Sequence, residues 1–439
     1  MRSTLAMAAV AAISVMATNS IFALDSAFNG LSRWSITATD GFIGSSSTHG
    51  IPVTLTWSIV PDLTATDSSS SSGAHPSPHH STLISVLDAQ FDPTSTGGAD
   101  LTQRNWFGLF DNAYKRWGEV SGLTFVYEPN DDGVKHGAGG SLGAIGTRGD
   151  IRVAGASIDG HSGSNTLAYN YFPINGDMLL DIDNASGWEL FDINSPINSS
   201  TNNPRLINIL EHEIGHGIGI PHVISNNSRQ LMEPFINTSF YGPQMDDILM
   251  VQRLYGDAYE AAGGNDSTAN AQDLGTLTDG TSWSIGNDAD RTASQLVTAQ
   301  QSDFVSIDDN SDIDVYKFQV ATDSEVDILL DPLGITYNQG PQGGSETSLN
   351  MRTLSNLNFE LLNALGSVIE TVSANGAGIA ESLINYNLSA GDYFLRVTGT
   401  ADDTQFYGLS IDVTAIPEPT ALALLSLSSL ILLHQRRIA

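Results

Sequence analysis

The chain has 439 residues, enough for two ordinary domains with a core each. Its acidic residues outnumber the basic ones 49 to 17, for a formal charge of −32, and so negative a field excludes nucleic acid as a partner. The chain has no cysteine, which excludes disulfide staples, thiolate zinc sites and any cysteine-based latency device.

Residues 1–23 read as an export signal, with Arg2 as the positive charge, a short apolar core over 5–16 and Ile21-Phe22-Ala23 as the cleavage site. That core is shorter than the about 20 apolar residues of a membrane span. A first domain is expected over 24–256. Val53–Ile59 alternates as a strand, and 67–82 is a low-complexity insertion with His75, His79 and His80 among serines and prolines. Trp106, Leu109, Phe110, Ala113 and Trp117 recur at helical spacing, which predicts an amphipathic helix over 103–119. Leu123–Tyr127, 150–153, 166–172 and 178–182 read as short strands between glycine-rich turns.

Asn203 and Pro204 offer an N-cap and a first helical position. Leu206, Ile207, Leu210 and Ile214 then give the following helix an apolar face. On it lie His212 and His216, four residues apart and so on one side, where both imidazoles reach a single ion. Zinc takes neutral imidazole, and a catalytic zinc keeps three protein ligands and one open position. Gly219 suits the turn that must bring His222 in as the third ligand, because glycine accepts φ > 0. Glu213, beside the first ligand, is placed to reach a water on the ion as general base. Two surface histidines on an ordinary helix would leave Glu213, Gly219 and His222 unexplained together. Leu231-Met232-Glu233-Pro234 and a helix-like run over 244–256 follow.

Residues 257–273 read as a linker into a second domain over 264–414. Strands at 314–320, 359–362, 393–397 and 407–411, separated by turn signals, suggest an all-β sandwich. The last segment, 415–439, holds Pro417-Glu418-Pro419, an apolar run over 421–433 and Arg436-Arg437. Its closing charges favour the cytoplasmic side of a membrane.

The zinc-helix pattern, Leu55-Thr56-Trp57, Ala113 with Trp117, Leu167-Ala168, Leu231-Met232-x-Pro234 and Asp246-Asp247-Ile248 through Leu254-Tyr255-Gly256 resemble the matrixins among the metzincin metalloproteases. The resemblance implies an α+β fold, a twisted mixed sheet with helices and a zinc at the cleft floor. It also implies Met232 as a hydrophobic support beneath the metal and Pro234 as a wall of the pocket after the scissile bond. Matrixins hold a second, structural zinc with histidines at places occupied here by Tyr169 and Leu179. His161 alone cannot rebuild that site, so one zinc is expected. Asp159 and Asp181 are candidate calcium ligands, with Asp183 beside them, and ordinary turn residues are the other reading of these aspartates. The second domain resembles the bacterial pre-peptidase C-terminal domain through Asn265-Asp266, Asp312-x-Asp314-Val315-Tyr316 and Leu388 to Tyr393; some such domains bind substrate matrix or calcium. The tail resembles the PEP-CTERM sorting signal of Gram-negative bacteria, which implies transient inner-membrane anchoring until an exosortase removes it, then release or surface attachment.

The expected function is peptide-bond hydrolysis on extracellular proteins by a monomeric zinc endopeptidase. The competing class is a surface adhesin or silent protease relative with a structural metal, which would have no need of Glu213. A narrowly specific processing enzyme shares the same chemistry and stays open.

Overall fold

The computed structural model describes residues 32–417 apart from 47, 68–78, 95–97, 138–140, 159–165 and 184–204. The expected signal at 1–23, the tail from 418 on, His75, Asp159, His161 and the Asn203-Pro204 cap lie outside the described residues. No helix among the described residues is long and apolar enough to cross a membrane.

The first half runs through a small hairpin, β1 (Ile36–Thr37) and β2 (Gly41–Phe42), to β3 (Val53–Ile59), α1 (Leu83–Phe91) and α2 (Phe107–Gly118). Then come β4 (Leu123–Tyr127), β5 (Ile151–Ala156), β6 (Ala168–Asn170), β7 (Met178–Asp181), α3 (Leu206–Gly217), β8 (Val223–Ser225) and α4 (Met245–Tyr255). Five strands form one mixed sheet in the order β4-β3-β5-β7-β6. Every pair in it is parallel except β6 on β7, which leaves β6 as an antiparallel edge. β5 is buried along its whole length, as a parallel strand covered on both faces should be.

α2 buries Phe107, Phe110, Ala113, Tyr114 and Trp117, and the Trp117 indole donates to the Glu211 carbonyl of α3 (2.9 Å). This helix begins four residues later than its pattern predicts. Asp88 on α1 takes the Arg104 guanidinium (3.0 Å) and the Trp106 indole N–H (2.8 Å), and a 3₁₀ turn at Leu101–Gln103 precedes them. α1 itself was not legible, because only Leu83 and Leu87 of its nine residues are buried.

The second half continues with β9 (Gln272–Leu277), β10 (Ser282–Ile285), β11 (Val305–Ile307), β12 (Ile313–Val320), β13 (Ser324–Pro332), β14 (Thr336–Pro341) and β15 (Thr347–Asn350). It ends with β16 (Leu357–Asn363), β17 (Val368–Val372), β18 (Glu381–Leu388), β19 (Gly391–Gly399) and β20 (Gln405–Ala415). One sheet has the order β17-β16-β19-β12-β9, the other β10-β20-β13-β18 with β11 also on β20. Alternate residues of both, such as Phe318, Val326, Ile328, Phe359, Leu395 and Ile411, face inward into one core, the pattern of a sandwich.

The two halves are joined more intimately than a linker implies. Over 257–273 the chain makes a 3₁₀ turn at Glu260–Ala262, buries Asp257, Glu260 and Asn265, and enters β9, which pairs with β12. The core of the first half also takes in Phe304, Leu333, Tyr337, Leu349, Met351 and Phe406. A further sheet, β15-β14-β8, crosses the junction and adds a hairpin of the second half to a strand of the first.

Candidate functional site

The described part of α3 starts from Arg205 in the N-cap position, two residues after the Asn203 cap expected from sequence. All its residues are buried. A Cβ on Gly215 would lie 2.3 Å from the Met232 sulfur, so glycine is what lets the Leu231-Met232 turn pack beneath the helix. Past the helix Gly219 adopts φ +107°, and a Cβ there would meet the Ser32 carbonyl oxygen at 1.6 Å. Trp34 holds the same end, its indole donating to the Gly217 carbonyl (2.8 Å), while the Tyr255 hydroxyl donates to Ile218 (2.7 Å). The chain thus turns sharply and returns His222 beside His212 and His216.

Each imidazole is oriented through Nδ1. His212 meets the Leu231 carbonyl (2.7 Å), His216 the Ile220 carbonyl (2.7 Å) and His222 the Gln342 Oε1 (2.9 Å). An acceptor at Nδ1 requires the proton there, which leaves the Nε2 lone pair bare. The three Nε2 atoms converge, with His222 3.1 Å from both His212 and His216. Three nitrogens at zinc-ligand distance in a tetrahedron lie about 3.3 Å apart, so these residues fit a zinc ion. Burial disfavours the imidazolium throughout: His212 falls to about 4, His216 well below its ordinary value, and His222 is lowered too. All three rings are ready as neutral ligands.

Glu213 is buried beside them, and nothing donates to its Oε2. Burial pushes its carboxyl up to about 8. A cation at the histidines would draw that value back down. With that value lowered by a bound cation, the donorless oxygen beside the convergent lone pairs is free to accept a proton.

The support below is a chain of hydrogen bonds. Asp247, at the start of α4, accepts the N–H groups of Leu231 (2.7 Å), Met232 (3.1 Å) and Gln244 (2.8 Å). It therefore fixes the turn whose Leu231 carbonyl orients His212. Met232 is fully buried under the site, and Pro234 lines the cleft. The cleft holds about 1040 Å³, with β6 along one wall, Pro234 and Phe235 on another and Gln342 at the His222 end.

Tyr169 and Leu179 are partners across the β6–β7 ladder. Leu179 is buried with Val60, Ala154, Ala156 and Ile158, and Tyr169 packs on that cluster, so apolar contact fills their place. Asp181 is fully buried, and its Oδ1 accepts the N–H groups of Ile158 and Asp183 (both 3.2 Å). Its proposed partner Asp159 lies outside the described residues.

Among the described residues a second group of potential ligands, missed from sequence, gathers at the junction of the halves. Single ligand atoms of Glu260, Asp312 and Asp314 lie within 4.8 Å of one another. Glu260 is hydrogen-bonded to the neighbouring Asp257 carboxyl, while the Oδ1 of the buried Asn265 has no donor. Burial pushes Asp257 up to about 6; burial and the neighbouring Asp312 push Asp308 up to about 9. Burial and like charges raise Glu260, Asp312 and Asp314 well above the ordinary carboxylate range.

Parts of the chain are similar to known proteins. The chain is 32% identical over 156 residues to karilysin of Tannerella forsythia, covering 35% of this chain and 29% of that protein. It is 31% identical over 170 residues to the hatching enzyme of Paracentrotus lividus (36% and 24%). Against macrophage metalloelastase of Rattus norvegicus it is 29% identical over 156 residues (34% and 28%). The chain thus spans between 24% and 29% of the length of these relatives. Among solved structures it is similar to the pre-peptidase C-terminal domain of collagenase from Bacillus anthracis, at 18% identity and a TM-score of 0.18, covering 32% of this chain and 96% of that one. Over residues 92–256, which include the histidines, Glu213, Met232 and α4, the chain matches the family described as Matrixin.

Proposed function

We propose that the chain is an exported zinc metalloendopeptidase. The observation that carries this is the convergence of three Nδ1-anchored histidines beside Glu213, a buried carboxylate whose Oε2 has no donor. His212, His216 and His222 would hold the zinc. When bound, zinc supplies Lewis acidity, polarising the scissile carbonyl and acidifying a water. Glu213 takes the proton of the attacking water and hands it to the departing amine. β6, the last strand of the sheet among the described residues, recognises an extended peptide by main-chain pairing, which makes selectivity for side chains modest. Met232 supports the floor, and Pro234 with Phe235 walls the pocket. The N-terminal signal reading and the PEP-CTERM-like tail support delivery outside the cell, with an exosortase-type enzyme acting on the tail.

Incubating the zinc-loaded chain with casein or gelatin, with and without a chelator, tests this reading. Cleavage that stops with chelator is the expected result. Metal-bound protein that cleaves neither would favour an adhesin with a structural ion.

Calcium is the second ion we infer, held by Glu260, Asp312 and Asp314 at the junction. Oxygen donors of this kind suit it, and the buried Asn265 Oδ1 beside them has no donor, which leaves room for a cation. Without a cation these raised carboxylates cost stability progressively as pH climbs from the ordinary carboxylate range through about 6 and on to about 9. Calcium should therefore stabilise the zinc-loaded chain by about 2.7 kcal/mol at a hundred times its dissociation constant, and more at pH 8 than at pH 5. Thermal melts with Asp312→Asn as comparison check this. An equal calcium shift in that variant removes the assignment.

A further inference from the structure

We infer that Gln342 is a positioning residue for the third zinc ligand, supplied to the metal centre by the β-rich half of the chain. The inference rests on the zinc reading above. Gln342 lies 120 residues after His222 in sequence, yet its Oε1 is the acceptor facing His222 Nδ1 at 2.9 Å. The other two ligands are oriented by main-chain carbonyls within the first half, on a buried helix and turn. His222 is the half-buried one, after the Gly219 turn, and its ring orientation is set by a side chain from elsewhere.

The hairpin that carries Gln342 is held firmly. β14 extends β8 in antiparallel register, Gln339 opposite Ser225, Gly340 opposite Ile224 and Pro341 opposite Val223. Asn226 N–H donates to the Asn338 carbonyl (3.1 Å), and Asn338 N–H returns a bond to the Asn226 side chain (3.2 Å). The Gln339 amide, with its nitrogen toward Asp246, donates to that buried carboxylate in the first turn of α4 (2.7 Å). Tyr337 and Leu349 are buried in the core that also holds Met232.

The turn itself delivers the glutamine. Gly344 N–H donates to the Pro341 carbonyl (2.8 Å), which closes a four-residue turn with Gln342 second and Gly343 third. Gly343 has φ +78°, the left-handed conformation that a type II turn demands at its third residue. A Cβ on Gly340 would lie 2.4 Å from the Ser345 carbonyl oxygen, so the two arms of the turn close tightly. Pairing, anchor and turn together aim one amide oxygen at one imidazole.

An acceptor that fixes the tautomer and orientation of a ligand histidine changes metal affinity by about 10- to 100-fold. The β-rich half is then part of the metal centre as well as its neighbour in the chain. The test uses the full chain with Gln342→Ala and Gln342→Glu. Zinc affinity is read by competition with a chromogenic chelator, alongside kcat and KM for a peptide, with melting curves as a fold control. Gln342→Ala should bind zinc about 10- to 100-fold more weakly, with a melting curve close to the parent's. Gln342→Glu, which keeps an acceptor and adds charge, should bind as tightly as the parent or tighter. Parental zinc affinity in Gln342→Ala overturns the inference. So does a change confined to KM, which would make Gln342 a substrate contact, or a Gln342→Glu variant as weak as the alanine one. A parent chain that binds no zinc at all would instead remove the zinc reading, and this inference with it.

Discussion

Replacing Glu213 by glutamine should leave zinc bound at the three histidines and lower kcat/KM for peptide cleavage by about 10²- to 10⁴-fold, the usual range for a general base. The amide has the shape of the carboxylate but cannot take a proton from water. The ligands do not depend on Glu213, because their Nδ1 positions are set by Leu231, Ile220 and Gln342. Folding should not suffer either. In the metal-free chain the carboxyl, pushed up to about 8 by burial, costs stability as pH rises from its unfolded value of 4.5 through about 8. The neutral amide avoids that cost, so the metal-free variant should gain on the parent in urea melts as pH rises over that span. Undiminished cleavage by Glu213→Gln would show that another group moves the proton.

Asp247→Ala should be the most damaging change outside the ligands themselves. It strands three buried N–H groups, those of Leu231, Met232 and Gln244. At about 1–3 kcal/mol for each unsatisfied group, softened by relaxation, the loss should be about 4 kcal/mol. The damage also reaches the metal. Once the turn is released, the Leu231 carbonyl no longer fixes the His212 ring, and zinc affinity falls as well. Denaturant unfolding of the metal-free chain measures the first effect and chelator competition the second. A loss below about 1 kcal/mol would mean that water replaces the carboxylate, and that Asp247 does not hold the floor of the site. Asp247→Asn, which keeps one acceptor oxygen, should fall between the two.

What was legible in the sequence follows the range of each interaction. His212, His216 and Glu213 lie within one helical turn, and Gly219 with His222 lies within one more, so their spacing carries the geometry directly. Gly219 at φ +107° shows why no other residue serves there. The inward-facing strands of the second half announced themselves by alternation, as in β12 and β20. Gln342 gave no such signal: Gly340-Pro341-Gln342-Gly343 reads as a surface turn, and only the β8–β14 pairing brings it to His222. The Glu260 cluster was hidden for a similar reason. Its members come from a stretch that reads as a linker and from a strand some 50 residues on, joined by parallel pairing of β9 with β12. Asp181 offers an ion ligand by residue type, and only the fold shows that its Oδ1 also accepts the N–H groups of Ile158 and Asp183.

The measurement that bears most directly on this account is a titration of zinc into the metal-free chain while hydrolysis of a fluorogenic peptide is followed. The account predicts that activity appears with zinc, rises in proportion to it and levels off at one ion per chain. Activity that survives without metal, or a chain that takes up zinc at the three histidines and hydrolyses no peptide, would contradict it.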